Sequence, residues 1–317
     1  MKKQLLILLF PFITYGQSLV EEIDVFIENK EYTKAATELT SYLIANPENE
    51  EALKLLGETY ALQENWEEAS LVFEQLVVID PNNADYHYKY GGALGMKALR
   101  SNKLYALFMM NDIKEAFIVA SELDQNHIDT RWALVVFYTE LPGIIGGSIK
   151  KALLYTDELL AISPVDGYLS KGYVYEYDDE PKLAEENFKK AIEVGGSITC
   201  FQKLTSFYEN EGEPQKAINT IEKANNKLQR NALNYQLGKV SAAYNLDLEK
   251  GKNCLLKYIE NFSPEDGIPI EWAYYRLAQI YRHKDDKKTA LKWINKSLVT
   301  QSEFEPAINE KKLIVNM

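Results

Sequence analysis

Three histidines, two cysteines and a surplus of carboxylates are the residues of this chain that could do chemistry, and their spacing does not assemble them. His87, His127 and His283 lie far apart, with no HExxH pair among them. Cys200 and Cys254 are too few to complete a zinc site, which takes about four clustered ligands. There is no GxSxG, no phosphate-binding GxxxxGK and no GxGxxG that opens a helix after a strand. Acidic side chains number 47, so neighbouring pairs arise by chance and are no sign of glycoside hydrolysis. No catalytic, metal-binding or cofactor residue is assigned on these grounds. One local oddity is residues 141–152, LPGIIGGSIKKA, where Gly146 and Gly147 could offer backbone amides to an anion ahead of a helix. The simpler reading is that Pro142 ends one helix, the glycines turn the chain and Ser148 caps the next helix.

The elements that would position any site are helices, and they repeat. Pro47 and Pro81, Ala35 and Ala69, and Leu39 and Phe73 are each separated by 34 residues. A small residue at 57 lets two helices approach, Ala69 marks where the second crosses the first, and Tyr60 and Phe73 fill the wedge. Pro81 ends the pair because it cannot continue the backbone ladder. One such hairpin cannot bury its apolar face alone, so the pairs must stack.

The residues Leu56, Gly57, Tyr60, Ala69, Phe73 and Pro81, in LKLLGETYALQENWEEASLVFEQLVVIDP, resemble the consensus of the tetratricopeptide repeat family. The resemblance implies an all-α, right-handed α-solenoid of about eight helix hairpins. The units run about 19–48, 50–82, 84–126, 128–165, 166–196, 198–229, 231–264 and 269–302, with a capping helix at 304–315. It is strong in units two, five, six and eight and weaker in one, three and seven, where Gly251 stands in place of the expected alanine. Two units run long. The third carries about ten extra residues at 97–111, whose apolar spacing predicts lengthened helices, and the fourth carries extra residues at 141–148. These adjacent insertions are expected to form one local elaboration.

The same resemblance implies a concave groove lined by positions 2, 5, 9, 12 and 13 of each first helix. Carried onto this sequence, it selects Lys54, Tyr88, Trp132, Tyr173, Tyr177, Tyr235, Trp272 and Tyr275 as partner-binding candidates. Aromatic side chains of this kind supply contact area with a polar tip. Family members that clamp a chaperone's terminal carboxylate use Lys and Asn at lining positions. Asp24, Glu58 and Gly92 occupy the corresponding sites here, so that mode is disfavoured.

At the N-terminus, Lys2 and Lys3 precede an apolar run over residues 5–13 and the small residue Gly16. This is the layout of a cleavable signal peptide over residues 1–16, too short to span a membrane. No cysteine follows it to carry a lipid anchor, and the expected destination is the bacterial periplasm or exterior. The net charge of −12 disfavours nucleic acid, whose phosphates demand clustered Lys and Arg. Acid-rich runs at 48–51 and 178–180 read as solvated turns and helix starts. The two cysteines fall in different repeats and are expected as unpaired thiols. The function expected is a non-catalytic exported scaffold that binds a protein or peptide segment in its groove. The alternatives are carbohydrate binding and, behind it, an all-helical enzyme.

Overall fold

The computed structural model describes residues 13–317; of the expected signal peptide, residues 1–12 lie outside the described residues. The described chain is all-α, with 17 α-helices and no strand. It forms two compact units that divide at Ser163 and Pro164.

The first unit holds α1 (Ile13–Glu28), α2 (Tyr32–Ala45), α3 (Glu50–Leu62), α4 (Trp66–Ile79), α5 (Ala84–Arg100), α6 (Lys103–Leu123), α7 (Ile128–Glu140) and α8 (Ile149–Ile162). The second holds α9 (Pro164–Tyr177), α10 (Pro181–Val194), α11 (Ile198–Asn210), α12 (Pro214–Leu228), α13 (Asn231–Tyr244), α14 (Leu248–Glu260), α15 (Ile270–His283), α16 (Lys287–Thr300) and α17 (Glu305–Val315). Within each unit, consecutive helices pack as antiparallel hairpins, and each hairpin stacks on the next.

Tight turns make the hairpins. Lys30, Glu64, Asp179, Gly212 and Asp285 each adopt a left-handed conformation at the end of a first helix. In each case the following amide reaches back five residues, for example Asn65 N to Tyr60 O at 2.9 Å and Glu213 N to Tyr208 O at 2.8 Å. This closes the orphan carbonyls of the first helix and reverses the chain in about three residues. Proline then starts α10 and α12, where its missing N–H costs nothing.

The hairpin seam requires small residues at two places. On the second helix, Ala35, Ala69, Ala152, Ala184, Ala217 and Ala290 have no exposed surface. Gly251 replaces alanine in α14 because a side-chain carbon there would lie 2.3 Å from Cβ of Ser241. On the first helix, carbons added at Gly57 and Gly172 would lie 2.6 Å from Phe73 and 2.5 Å from Phe188. Those rings are the wedges that hold each pair open at a fixed angle.

The third pair is the long one, with 17 residues in α5 and 21 in α6. The extra residues extend helices, as their apolar spacing predicts. Between α7 and α8 the added segment forms a single 3-10 turn, Gly143–Ile145, and the Ser148 hydroxyl accepts from the Lys151 amide to start α8. Pro142, the glycines and Ser148 thus have the structural roles of terminator, turn and cap.

Candidate functional site

Each histidine has a structural role. His87 Nε2 lies 2.9 Å from Pro81 O, and His127 caps α7, its Nδ1 accepting from the Thr130 amide at 3.2 Å. His283 Nε2 lies 3.1 Å from Ala242 O, and burial lowers its pKa. Among the described residues no group of three His, Cys, Asp or Glu could hold a metal ion. Cys200 is buried, Cys254 is half-buried, and both are free thiols.

In the first unit, Tyr88 on α5 and Trp132 on α7 come together on a cleft of about 690 Å³. Its walls are α5, α6 and α7, closed at one end by Leu141 and Ile145, so residues of both insertions border one recess. Asn83 positions Tyr88 by capping α5, its Oδ1 accepting from the amides of Asp85 and Tyr86. The Tyr88 ring stands 5.1 Å from the His127 ring. Burial, reinforced by the nearby Asp129 carboxylate, raises the Tyr88 pKa and keeps the phenol protonated. The walls are largely apolar, from Met96, Leu99, Leu107, Met110 and Val136, with Lys103, Asp129 and Glu140 as the charged residues of the lining. Lys54 is half-buried on α3 and borders neither this cleft nor the one described next.

In the second unit, Tyr173 and Tyr177 line a cleft of about 780 Å³ between α9, α11 and α13. These are the first helices of three successive pairs. The floor is apolar, with Phe201, Ile221, Ala224 and Leu233. The rim is polar, with Gln202, Lys203, Asn210, Gln236 and Lys239. Part of the rim is braced: Asn210 donates to Glu176 at 2.8 Å, and Lys239 pairs with Glu209 at 3.1 Å. Gln202, Lys203 and Gln236 make no side-chain hydrogen bond or ion pair among the described residues.

The structure places one groove candidate in the core and packs two others against the end of the chain. Tyr235 is 5 % exposed and sits in the core with Leu255 and Leu277, its ring 5.5 Å from that of Tyr258. It is a packing residue, because this position meets Tyr258 and Leu255 of α14. Trp272 and Tyr275 stack edge-on against Phe304, at 4.6 and 5.7 Å. Phe304 is the residue that precedes α17, so the end of the chain packs against these two rings and leaves them half-buried. The amide rim around Gln236 and the glycine-lined wall at Gly92 and Gly95 were not among the candidates. Polar and small side chains at helical spacing give no aromatic signal.

Two segments match models of the tetratricopeptide repeat, residues 26–91 and 273–298. Together with the stacked hairpins, these matches support a tetratricopeptide repeat family protein. Its fold is similar to that of a tetratricopeptide repeat protein from Parabacteroides merdae ATCC 43184, with 16 % identity and a TM-score of 0.52 over 83 % of this chain and 98 % of that one. YrrB, described as a tetratricopeptide repeat protein with an unusual peptide-binding site, aligns at 21 % identity and a TM-score of 0.43, over 62 % of this chain and 98 % of its own. At these identities the likeness concerns the fold alone. No curated protein sequence matches the chain.

Proposed function

We propose that the protein is a non-catalytic exported scaffold whose second unit holds an extended peptide segment of another protein, within an envelope assembly. The observation that carries this reading is the cleft between α9, α11 and α13: an apolar floor, two tyrosines, and a rim where Gln202 and Gln236 have unengaged amides. A peptide backbone offers one donor and one acceptor per residue, and an amide side chain answers both. Tyr173 and Tyr177 add rigid contact area of the kind that dominates recognition surfaces. Lys203 would favour an acidic residue in the bound segment. Export is supported by the leader-like residues 1–16.

The test is to cross-link the protein in its native envelope and compare what co-purifies with the wild type and with a Tyr173→Ala, Gln202→Ala, Gln236→Ala variant. Capture of a protein by the wild type and its loss from the folded variant supports the scaffold reading. Retention by both moves the site elsewhere, and capture of an oligosaccharide in place of a protein favours the carbohydrate alternative. Mass spectrometry of the exported protein should give a chain that begins at Gln17; an intact N-terminus inside the cell would end the export reading.

A further inference from the structure

After Lys103 opens α6, its next two turns are apolar on every side. Residues 104–110 read LYALFMM, without a charge among them. Met109 is buried, and Ala106, Leu107 and Met110 face the α5–α7 cleft. Leu104 and Phe108, one turn apart on another face, are 67 % and 72 % exposed. A stretch that is hydrophobic all round belongs inside a protein environment, and among the described residues nothing covers the Leu104–Phe108 edge.

The recess beside this edge is unfilled in a telling way. Gly92 and Gly95 lie on its wall, and a side chain added at either would meet nothing within 4 Å. Glycine within a helix costs about 1 kcal/mol relative to alanine. Gly91 is explained by Phe117, whose ring would lie 2.9 Å from an added carbon, but no packing among the described residues explains its two neighbours on the cleft.

We propose that this face is the contact surface of a two-fold dimer, in which the Leu104–Phe108 edge of each copy's α6 enters the other copy's cleft over Gly92 and Gly95. Leu107 is part of both the ridge and the cleft wall, so ridge and recess lie side by side on one surface. A two-fold axis lets each copy fill the other and closes the contact at two chains. The exposed area suits this. Leu99, Leu104, Leu107 and Phe108 remain 46–79 % exposed, which at roughly 120 Å² apiece supplies, before the cleft walls are added, over half of the ~800 Å² per partner of a standard interface. Three charged residues, Lys103, Asp129 and Glu140, also border the cleft, while Lys97 and Arg100 beside the ridge pair with Glu67 and Glu64, at 2.9 and 2.6 Å. The proposal concerns the first unit and does not depend on the peptide reading of the second.

Sedimentation equilibrium of the purified protein, from roughly 1 to 100 µM, tests it. The expected result is a dimer for the wild type. Phe108→Glu, which removes the ridge, and Gly95→Leu, which fills the recess, should each weaken association by about 100-fold or more while helical circular dichroism is unchanged. A wild type that stays monomeric throughout this range overturns the proposal, as does a dimer that survives both substitutions. A monomer that carries a bound amphiphile or another protein on this face would overturn it too, and would identify the true occupant.

Discussion

Gly172 on α9 and Phe188 on α10 are in direct apposition: a carbon added to Gly172 would lie 2.5 Å from the ring, and that ring is 1 % exposed. The same arrangement recurs between Gly57 and Phe73 and between Gly91 and Phe117. It makes the hairpin angle a matter of steric fit between one absent side chain and one large one. Gly172→Ala should therefore cost about 1–3 kcal/mol by overpacking, where alanine in a free helix would be favourable. Urea unfolding of Gly172→Ala, Phe188→Leu and the double variant should show a coupling of about 1 kcal/mol or more. Additive single effects would mean the ring simply moves aside.

Glu310 on α17 is 4 % exposed and is bound by Arg282 and Gln279 of α15. Glu310→Ala strands a partly buried guanidinium, so the expected loss is about 2–3 kcal/mol, felt first as hydrogen exchange in α17. Exchange in α9 to α12 should not change.

Arg131 is 4 % exposed, and its guanidinium donates to the carbonyls of Asp124 and His127 at 3.0 and 3.2 Å and to that of Ser121 at 3.3 Å, and pairs with Glu158 at 3.0 Å. It fastens the end of α6 to α7 and α8. Lysine cannot serve these acceptors from one point charge, so Arg131→Lys should cost about 2 kcal/mol or more in chemical denaturation. A neutral outcome would show that ordered water replaces the fork.

Alkaline pH should loosen the first unit through Tyr86. Burial raises its pKa to about 12, helped by the hydrogen bond its hydroxyl donates to Glu50 at 2.9 Å. The folded value stands above the unfolded one near 10, so the contribution is complete below about pH 10 and is lost as pH rises toward 12. Stability measured between pH 9 and 12 should fall less steeply in Tyr86→Phe than in the wild type. Tyr258, also raised to about 12 by burial, should keep part of the decline in both.

Asp179 carries the left-handed turn between α9 and α10, at φ 57°. Gly212 fills the equivalent position between α11 and α12 without a Cβ penalty. Asp179→Gly should raise the melting temperature slightly, by the equivalent of about 0.5 kcal/mol, as relief of strain exceeds the entropy that glycine adds to the unfolded chain.

What could be read from the sequence was whatever recurs. Gly57, Ala69, Phe73 and Pro81 act locally, within one hairpin, and the same local physics repeats at Gly172, Ala184 and Phe188. The long α5 and α6 were legible too, since their apolar residues keep helical spacing through the added segment. The candidate site was legible only in part. Tyr88 and Trp132 meet on one cleft and Tyr173 and Tyr177 on another, but Tyr235 held the same repeat position as Tyr88 and was lost to the core. Tyr235 packs on Tyr258 and Leu255 of α14, a contact that no offset records. Trp272 packs on Phe304, 32 residues later in the chain, through a contact that belongs to no repeat.

That last contact gives the protein a resident of its own. The α17 helix is held much as a foreign segment would be: one aromatic anchor, Phe304, between two rings, and one acid, Glu310, between a guanidinium and an amide. Because it is tethered, it occupies its seat at an effective concentration no free competitor readily matches. Cleavage ahead of Phe304 would convert a filled end into an open aromatic socket, so proteolysis at this one linker changes what the surface can hold without altering a residue of the socket itself.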